Sequence, residues 1–354
     1  MTETNKSFNI FSYINMGTII ICAFFLLVLV TGTTVGIPLT SMLNDCIVRF
    51  GRNGILVLAM LPAIQSGTGP NFALPLGMMC GIFAECVAIE NNLMGTGFLV
   101  VSIGLSIIIA AAVGYFYGKL ANAVKGSEMT IATYVGFASV GLMGLVWASK
   151  LFQSDKMAWF LGVGLRTTIQ LDQVKANLIL DNFLAFKIGK NITVPTGSLL
   201  LVLLLCYLMY LFFRSKPGIA ISASGANPMF ARAAGLHVDN SRILASIISM
   251  VLGAVGIIVY GQSFGYVQLY DGPMMMAFPA VAAILIGGAT ARRARVFHVI
   301  LGAFVFNGLL ATSLPVINRL LAGSDAAILT DAIRQVVQNG IILYALMQVK
   351  GGDR

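Results

Sequence analysis

Apolar runs recur along this chain, at residues 16–35, 54–66, 72–89, 95–116, 129–149, 194–213, 243–260, 277–288, 296–314 and 332–349, separated by charged or glycine- and proline-rich stretches. A helix needs about 20 apolar residues to cross roughly 30 Å of hydrocarbon, and in that medium the backbone must satisfy its own hydrogen bonds. The pattern predicts an all-α polytopic membrane protein of about ten transmembrane segments, a single domain over residues 1–354. Only 10% of the residues are charged, against about 25% in a soluble domain. Two segments are predicted to be irregular. Gly67, Gly69, Pro70 and Pro75 fall too close together for one continuous helix, so the chain breaks between the second and third runs. The 277–288 run is short for a full crossing and reads as a half-helix.

The charges then set an orientation. A net charge of +9 raises the question of nucleic acid, but the 22 basic residues are scattered in short loops and fit membrane orientation instead. Ten crossings from a cytoplasmic N-terminus place Lys6, Lys119, Lys125, Arg214, Lys216, Arg232, Arg242, Arg292, Arg293, Arg295, Lys350 and Arg354 inside. Arg49, Arg52, Arg319 and Arg334 fall outside, with the mixed-charge region 150–193, expected to be extracytoplasmic and built of short amphipathic pieces. Setting that long region aside, the excess is inside, as the positive-inside rule requires, and both termini are predicted to be cytoplasmic. The N-terminal stretch lacks a small-residue cleavage site, so the first run is expected to be retained. Cys22, Cys46, Cys80, Cys86 and Cys206 are odd in number and lie in or beside apolar runs. They read as packing residues, with no disulfide, metal or cofactor framework. The 38 glycines fit close helix packing, because small residues let backbones approach where lipid gives no hydrophobic drive.

Several polar residues are candidates for a solute path. The break exposes backbone groups, tolerated only against protein or a water-filled cavity. Gln65, Ser66 and Asn71 beside it either line such a path or only satisfy the broken helix. Glu85 is a carboxylate inside an apolar run, which makes it a functional suspect by default. It either lines a path or reaches interfacial water near Glu90. Thr130 and Thr133 open the fifth run, where hydroxyls also bond back to their own helix.

The connection at 214–242 is the most structured polar stretch. Asn227 is placed to cap a helix, Pro228 suits the first helical position, and Gly235 suits a left-handed exit. The result is a helix of about two turns, roughly 10 Å long. Met229 with Ala233, and Phe230 with Ala234, give it a small apolar face from which Arg232 points away. Such a helix either tidies a loop or docks into a groove on a soluble partner.

The pattern Gly225, Asn227, Pro228, Ala231, Arg232, Gly235, followed at once by an apolar run, resembles the cytoplasmic coupling loop of bacterial ABC importer permeases of the ribose and branched-chain amino acid type. The pattern of runs extends the resemblance from about Arg49 over most of the chain. It implies a loop seated in the cleft of an ATP-binding subunit, present as two copies or a fused pair. It also implies a second permease copy or homologue, an extracytoplasmic solute-binding protein, and a multi-pass location in the bacterial inner membrane. The break and Thr130/Thr133 are similar to the family's glycine-rich break and threonine-bearing helix start, and Gly287–Gly288 to its paired glycines. Members often carry an aspartate near where Asn71 stands, and more glycine where this chain runs Ala291–Arg295. The three arginines there either hold a loop in the cytoplasm or contact the ATP-binding subunit or anionic lipid.

Other signals fail on their spacing. In residues 114–119, GYFYGK, only three residues separate the glycines and Leu120 replaces the hydroxyl a phosphate loop needs. His237 and His298 show no metal-ligand spacing, Asn191–Thr193 is a chance glycosylation pattern, and no serine, histidine and acid set stands where catalysis is plausible. The expectation is therefore a non-enzymatic permease subunit for a small polar solute, a sugar or nucleoside, driven by ATP hydrolysis on a partner. The rivals are an independent secondary transporter or channel, an intramembrane enzyme, and a sensor or scaffold.

Overall fold

The computed structural model describes residues 16–159, 164–188, 192–320, 335–336, 339–340 and 342–343. The expected tenth run, 332–349, lies all but a few residues outside these. So do Lys6, Arg334, Lys350, Arg354 and both termini.

The helices in chain order are α1 (Met16–Thr34), α2 (Leu39–Leu58), α3 (Met60–Gln65), α4 (Leu74–Glu90), α5 (Gly95–Ala123) and α6 (Glu128–Ala148), then α7 (Ile179–Asn182), α8 (Thr196–Arg214), α9 (Lys216–Ala226), α10 (Pro228–Ala233), α11 (Val238–Phe264), α12 (Gly272–Ile286) and α13 (Val296–Leu320). Seven spans among the described residues are long and apolar enough to cross a membrane: α1, α2 continued by α3, α5, α6, α8, α11 and α13. The expected third and eighth segments are α4 and α12, of 17 and 15 residues.

The second segment begins earlier than its apolar run. It starts at Leu39 and takes in Arg49 and Arg52, which the sequence reading places in a charged patch before it. The helix continues because distant groups satisfy its polar face: Arg52 Nε donates to Ser263 Oγ at 2.9 Å, and its guanidinium lies over the Phe264 ring. Helix α2 stops at Leu58 because Pro62 has no N–H to give the carbonyl four residues back, and its ring crowds that carbonyl. The rod resumes at once as α3. It breaks fully at 66–73, as expected, with Gly67 and Gly69 at φ 80° and 81°.

Helix α11 is the centre of the bundle, packed on α5, α4, α2, α3 and α9. Glycine pairs one turn apart make the approach possible. A Cβ on Gly77 or Gly81 of α4 would lie 2.7 or 2.5 Å from the Met250 or Ala254 carbonyl oxygen. One on Gly114 or Gly118 of α5 would lie 2.8 Å from the Ile247 or Ile243 Cα. The stretch 114–118 is thus a helix-packing seam of the small-xxx-small kind. Helix α13 packs on α2, α12 and α1.

The region 150–193 departs from an all-α description. Its strand β1 (Thr168–Gln170) pairs antiparallel with β4 (Tyr266–Gln268), which follows α11, and β2 (Phe186–Ile188) pairs antiparallel with β3 (Ile192–Val194). The region clasps the end of α11. Leu178 N donates to Gln262 O at 2.8 Å, Leu180 N to Gln262 Oε1 at 3.1 Å, and Ser263 Oγ bonds the buried carboxylate of Asp181.

Candidate functional site

The 214–242 connection folds as two helices where one is expected. Helix α8 ends at Arg214, and Pro217 in the first turn of α9 restarts the chain in a new direction. At the end of α9 the chain turns extended at Asn227, whose Oδ1 accepts the Phe230 N–H at 3.0 Å. Pro228 then opens α10, and Gly235 leaves it at φ 82°. Ala231 is fully buried and anchors the helix to the bundle, whereas Met229 and Phe230 are 81% and 68% exposed. Arg232 turns back toward Asp239 at 3.9 Å, and Asp239 also takes Lys125 Nζ at 2.8 Å. These exposed ion pairs contribute little stability but orient the helix. The connection thus presents two bare apolar side chains on a capped knob.

The broken segment packs against this connection. Gly225, near the end of α9, meets the backbone of Gln65–Gly67: a Cβ there would stand 2.7 Å from Gly67 N and 2.8 Å from Ser66 C. Gln65 Nε2 donates to the Ala294 carbonyl in the turn before α13. Buried Ser66 Oγ donates to Ala63 O at 2.8 Å. Buried Asn71 accepts the Ala73 N–H at 3.1 Å and donates to Ser249 Oγ at 2.8 Å, which in turn donates to Ala59 O at 2.6 Å. Ser66 and Asn71 therefore satisfy the broken backbone, whereas Gln65 ties the end of α3 to the turn before α13. Asn71 also lines a gap of about 10 Å³ with Thr68, Tyr117, Glu128 and Ser246, room for about one water. On its flank Arg242 Nη1 meets Glu128 Oε1 at 3.2 Å, both side chains largely buried.

The remaining predicted residues are scattered. Thr133 bonds back to Met129 O at 2.9 Å and lines a second small gap with Phe72, Phe137 and Phe278. Thr130 is exposed. Glu85 is 1% exposed, and neither carboxylate oxygen has a hydrogen-bond partner among the described residues. Such burial rules out the interfacial-water alternative for this residue. Glu85 lines neither the gaps nor the cleft described next.

The largest of these spaces, about 140 Å³, is a cleft between α2, α11, α12 and α13 that the sequence reading missed. Its polar groups are Arg49, Asn53, Tyr260 and Asn307, and Met275, Met276 and Pro279 form an apolar wall. Asn53 Nδ2 donates to Asn307 Oδ1 at 3.0 Å, and Asn307 Nδ2 to Ala303 O at 2.8 Å, so the amide pair is held in one orientation. Few, convergent polar groups against an apolar wall are what a small-molecule site needs. The available signal was an asparagine inside the ninth run. Its partner stands 254 positions away, beyond any local pattern.

Residues 42–347 match the family model described as branched-chain amino acid transport system / permease component. The chain is 26% identical over 273 residues, 75% of its length and 74% of the other's, to the autoinducer 2 import system permease protein LsrC of Photorhabdus laumondii. It is 25% identical over 193 residues, 54% and 50% of the two chains, to the nucleoside ABC transporter permease protein NupB of Lactococcus lactis. A solved metal-chelate type ABC transporter in an inward-facing conformation aligns with 92% of this chain and 98% of that one, at 14% identity and a TM-score of 0.44. With its bundle of long apolar helices, this multi-pass inner-membrane protein belongs to the branched-chain amino acid transport system permease family.

Proposed function

We propose that the chain is the membrane subunit of an ATP-driven importer of a small polar solute, a sugar or nucleoside. It works with an ATP-binding subunit, a second permease copy and an extracytoplasmic solute-binding protein. Ten crossings with both termini inside are part of this reading, since they put the 214–242 connection in the cytoplasm. The observation that carries it is the knob: a capped two-turn helix, anchored by Ala231, holding Met229 and Phe230 out to solvent. An exposed apolar pair on a rigid mount marks a docking site for another protein. The relatives' names support the solute class, one being an autoinducer 2 import permease and the other a nucleoside permease.

The solute path we assign runs from the Arg49, Asn53, Tyr260 and Asn307 cleft to the break at Gln65, Ser66 and Asn71, with Thr133 at its flank. Amides and a phenol exchange hydrogen bonds with hydroxyls, and the methionine wall packs on a ring's C–H face. A cleft of about 140 Å³ is below the ~300–1,000 Å³ of drug-sized pockets, which favours the smaller of the two solute classes, a sugar. Glu85 and Thr130 are left out of this path. The test is co-purification with the ATP-binding subunit from cells expressing both. Phe230→Asp, or deletion of residues 227–235, abolishes it while the permease remains monodisperse. Retained co-purification, or solute uptake by the permease alone, refutes the reading in favour of an independent transporter or channel.

A further inference from the structure

Resting on that function, we infer that the α2–α3 rod is the transmission element and that Gly225 is the positioning residue through which the cytoplasmic connection moves it. The rod reaches both functional regions. Midway along it, α2 presents Arg49 and Asn53 to the cleft. The last residue of α3, Gln65, and the two that follow meet Gly225 backbone to backbone. Asn53 and Gln65 are twelve residues apart, about 18 Å at 1.5 Å per residue.

Like the glycine seams of α4 and α5 against α11, the contact is backbone on backbone. Gly67, at φ 80°, would place a Cβ 2.9 Å from Gly225 Cα and 3.1 Å from its carbonyl oxygen. Interdigitated side chains absorb small displacements by changing rotamer, whereas a backbone-on-backbone contact passes them on. The rest of the break is tethered so that the motion is directed. Asn71 and Ser249 tie it to α11 and to the Ala59 carbonyl at the α2–α3 joint, and Gln65 ties it to the turn before α13. A shift of α9 on closure of the ATP-binding subunits therefore pushes the end of α3. The Ser249 tether steers that push along the rod, and Asn53 moves relative to Asn307 across the cleft.

The experiment uses the full transporter in proteoliposomes, with ATP hydrolysis and solute uptake measured on the same vesicles. In Gly225→Ala the methyl group forces the two backbones apart. The complex still co-purifies, uptake falls at least tenfold, and the ATP consumed per solute rises at least threefold. Uptake and hydrolysis both at wild-type level would overturn the inference, as would equal loss of both from an intact complex. Ser249→Ala adds no bulk and guards against a Gly225→Ala variant that does not assemble. It raises the ATP consumed per solute at least threefold, and an unchanged ratio in this variant overturns the proposal. Absence of ATP-dependent uptake in the wild type would instead refute the importer reading itself.

Discussion

Removing both partners of the Arg242–Glu128 pair should cost no more than removing one, well below the sum of the two single losses. The two side chains are only 11% and 15% exposed, and their single contact, Nη1 to Oε1, is 3.2 Å. Arg242 Nε has no hydrogen-bond partner among the described residues, so Glu128→Gln leaves a largely buried guanidinium without the carboxylate it contacts. Breaking a buried pair costs about 3–5 kcal/mol, and the residual solvent access here puts this one at about 3 kcal/mol. Arg242→Met costs about 2 kcal/mol, because Glu128 Oε2 still accepts the Gly126 N–H at 2.8 Å at the start of α6. The double variant leaves no unpaired charge and costs about 2–3 kcal/mol, a coupling of about 2–3 kcal/mol between the sites. The assay is reversible unfolding in mixed micelles at rising SDS fraction, followed by tryptophan fluorescence. Single effects that add to within about 0.5 kcal/mol would show that the pair behaves as a solvated surface contact, and the reasoning would fail.

Asn227→Ala removes the cap of α10, about 1 kcal/mol, and should weaken binding of the ATP-binding subunit about fivefold by titration in detergent. Gly114→Leu and Gly118→Leu place side chains where α5 meets the α11 backbone and should each cost at least 1–3 kcal/mol in the same unfolding assay. Gly97→Ala and Gly104→Ala, with open space around them, should stay within about 0.5 kcal/mol of wild type. Asn307→Leu leaves Asn53 without its partner in the cleft, so uptake should fall at least tenfold with little change in basal ATP hydrolysis; equal loss of both would remove the cleft from the solute path.

The parts of the fold that could be read in advance are those whose signals are local. Asn227, Pro228 and Gly235 sit within nine positions of one another, and each has one physical use, so the knob was readable from its ends inward. The break at 66–73 was equally plain, since its glycines and prolines exclude a helix whatever surrounds them. The parts that were not legible depend on distant partners. Arg52 read as a loop residue because the groups that accommodate it in a helix, Ser263 and Phe264, lie more than two hundred positions away. The cleft was hidden for the same reason, because two asparagines on separate helices carry no shared pattern. Glu85 misled in the opposite sense: an acid in an apolar run stands out in sequence, yet it is sealed between helices away from the cleft. Helix α9 was not expected, yet it opens with Pro217 in its first turn, where a proline is welcome.

The central claim is that the motive force enters through α10 and not through the membrane helices themselves. Its most direct test is uphill solute uptake into proteoliposomes holding the permease, with the ATP-binding subunit and solute-binding protein added or withheld. The account predicts accumulation only when both partners and ATP are present, and none when Phe230→Asp replaces the native residue. Accumulation by the permease alone, without nucleotide, would contradict it.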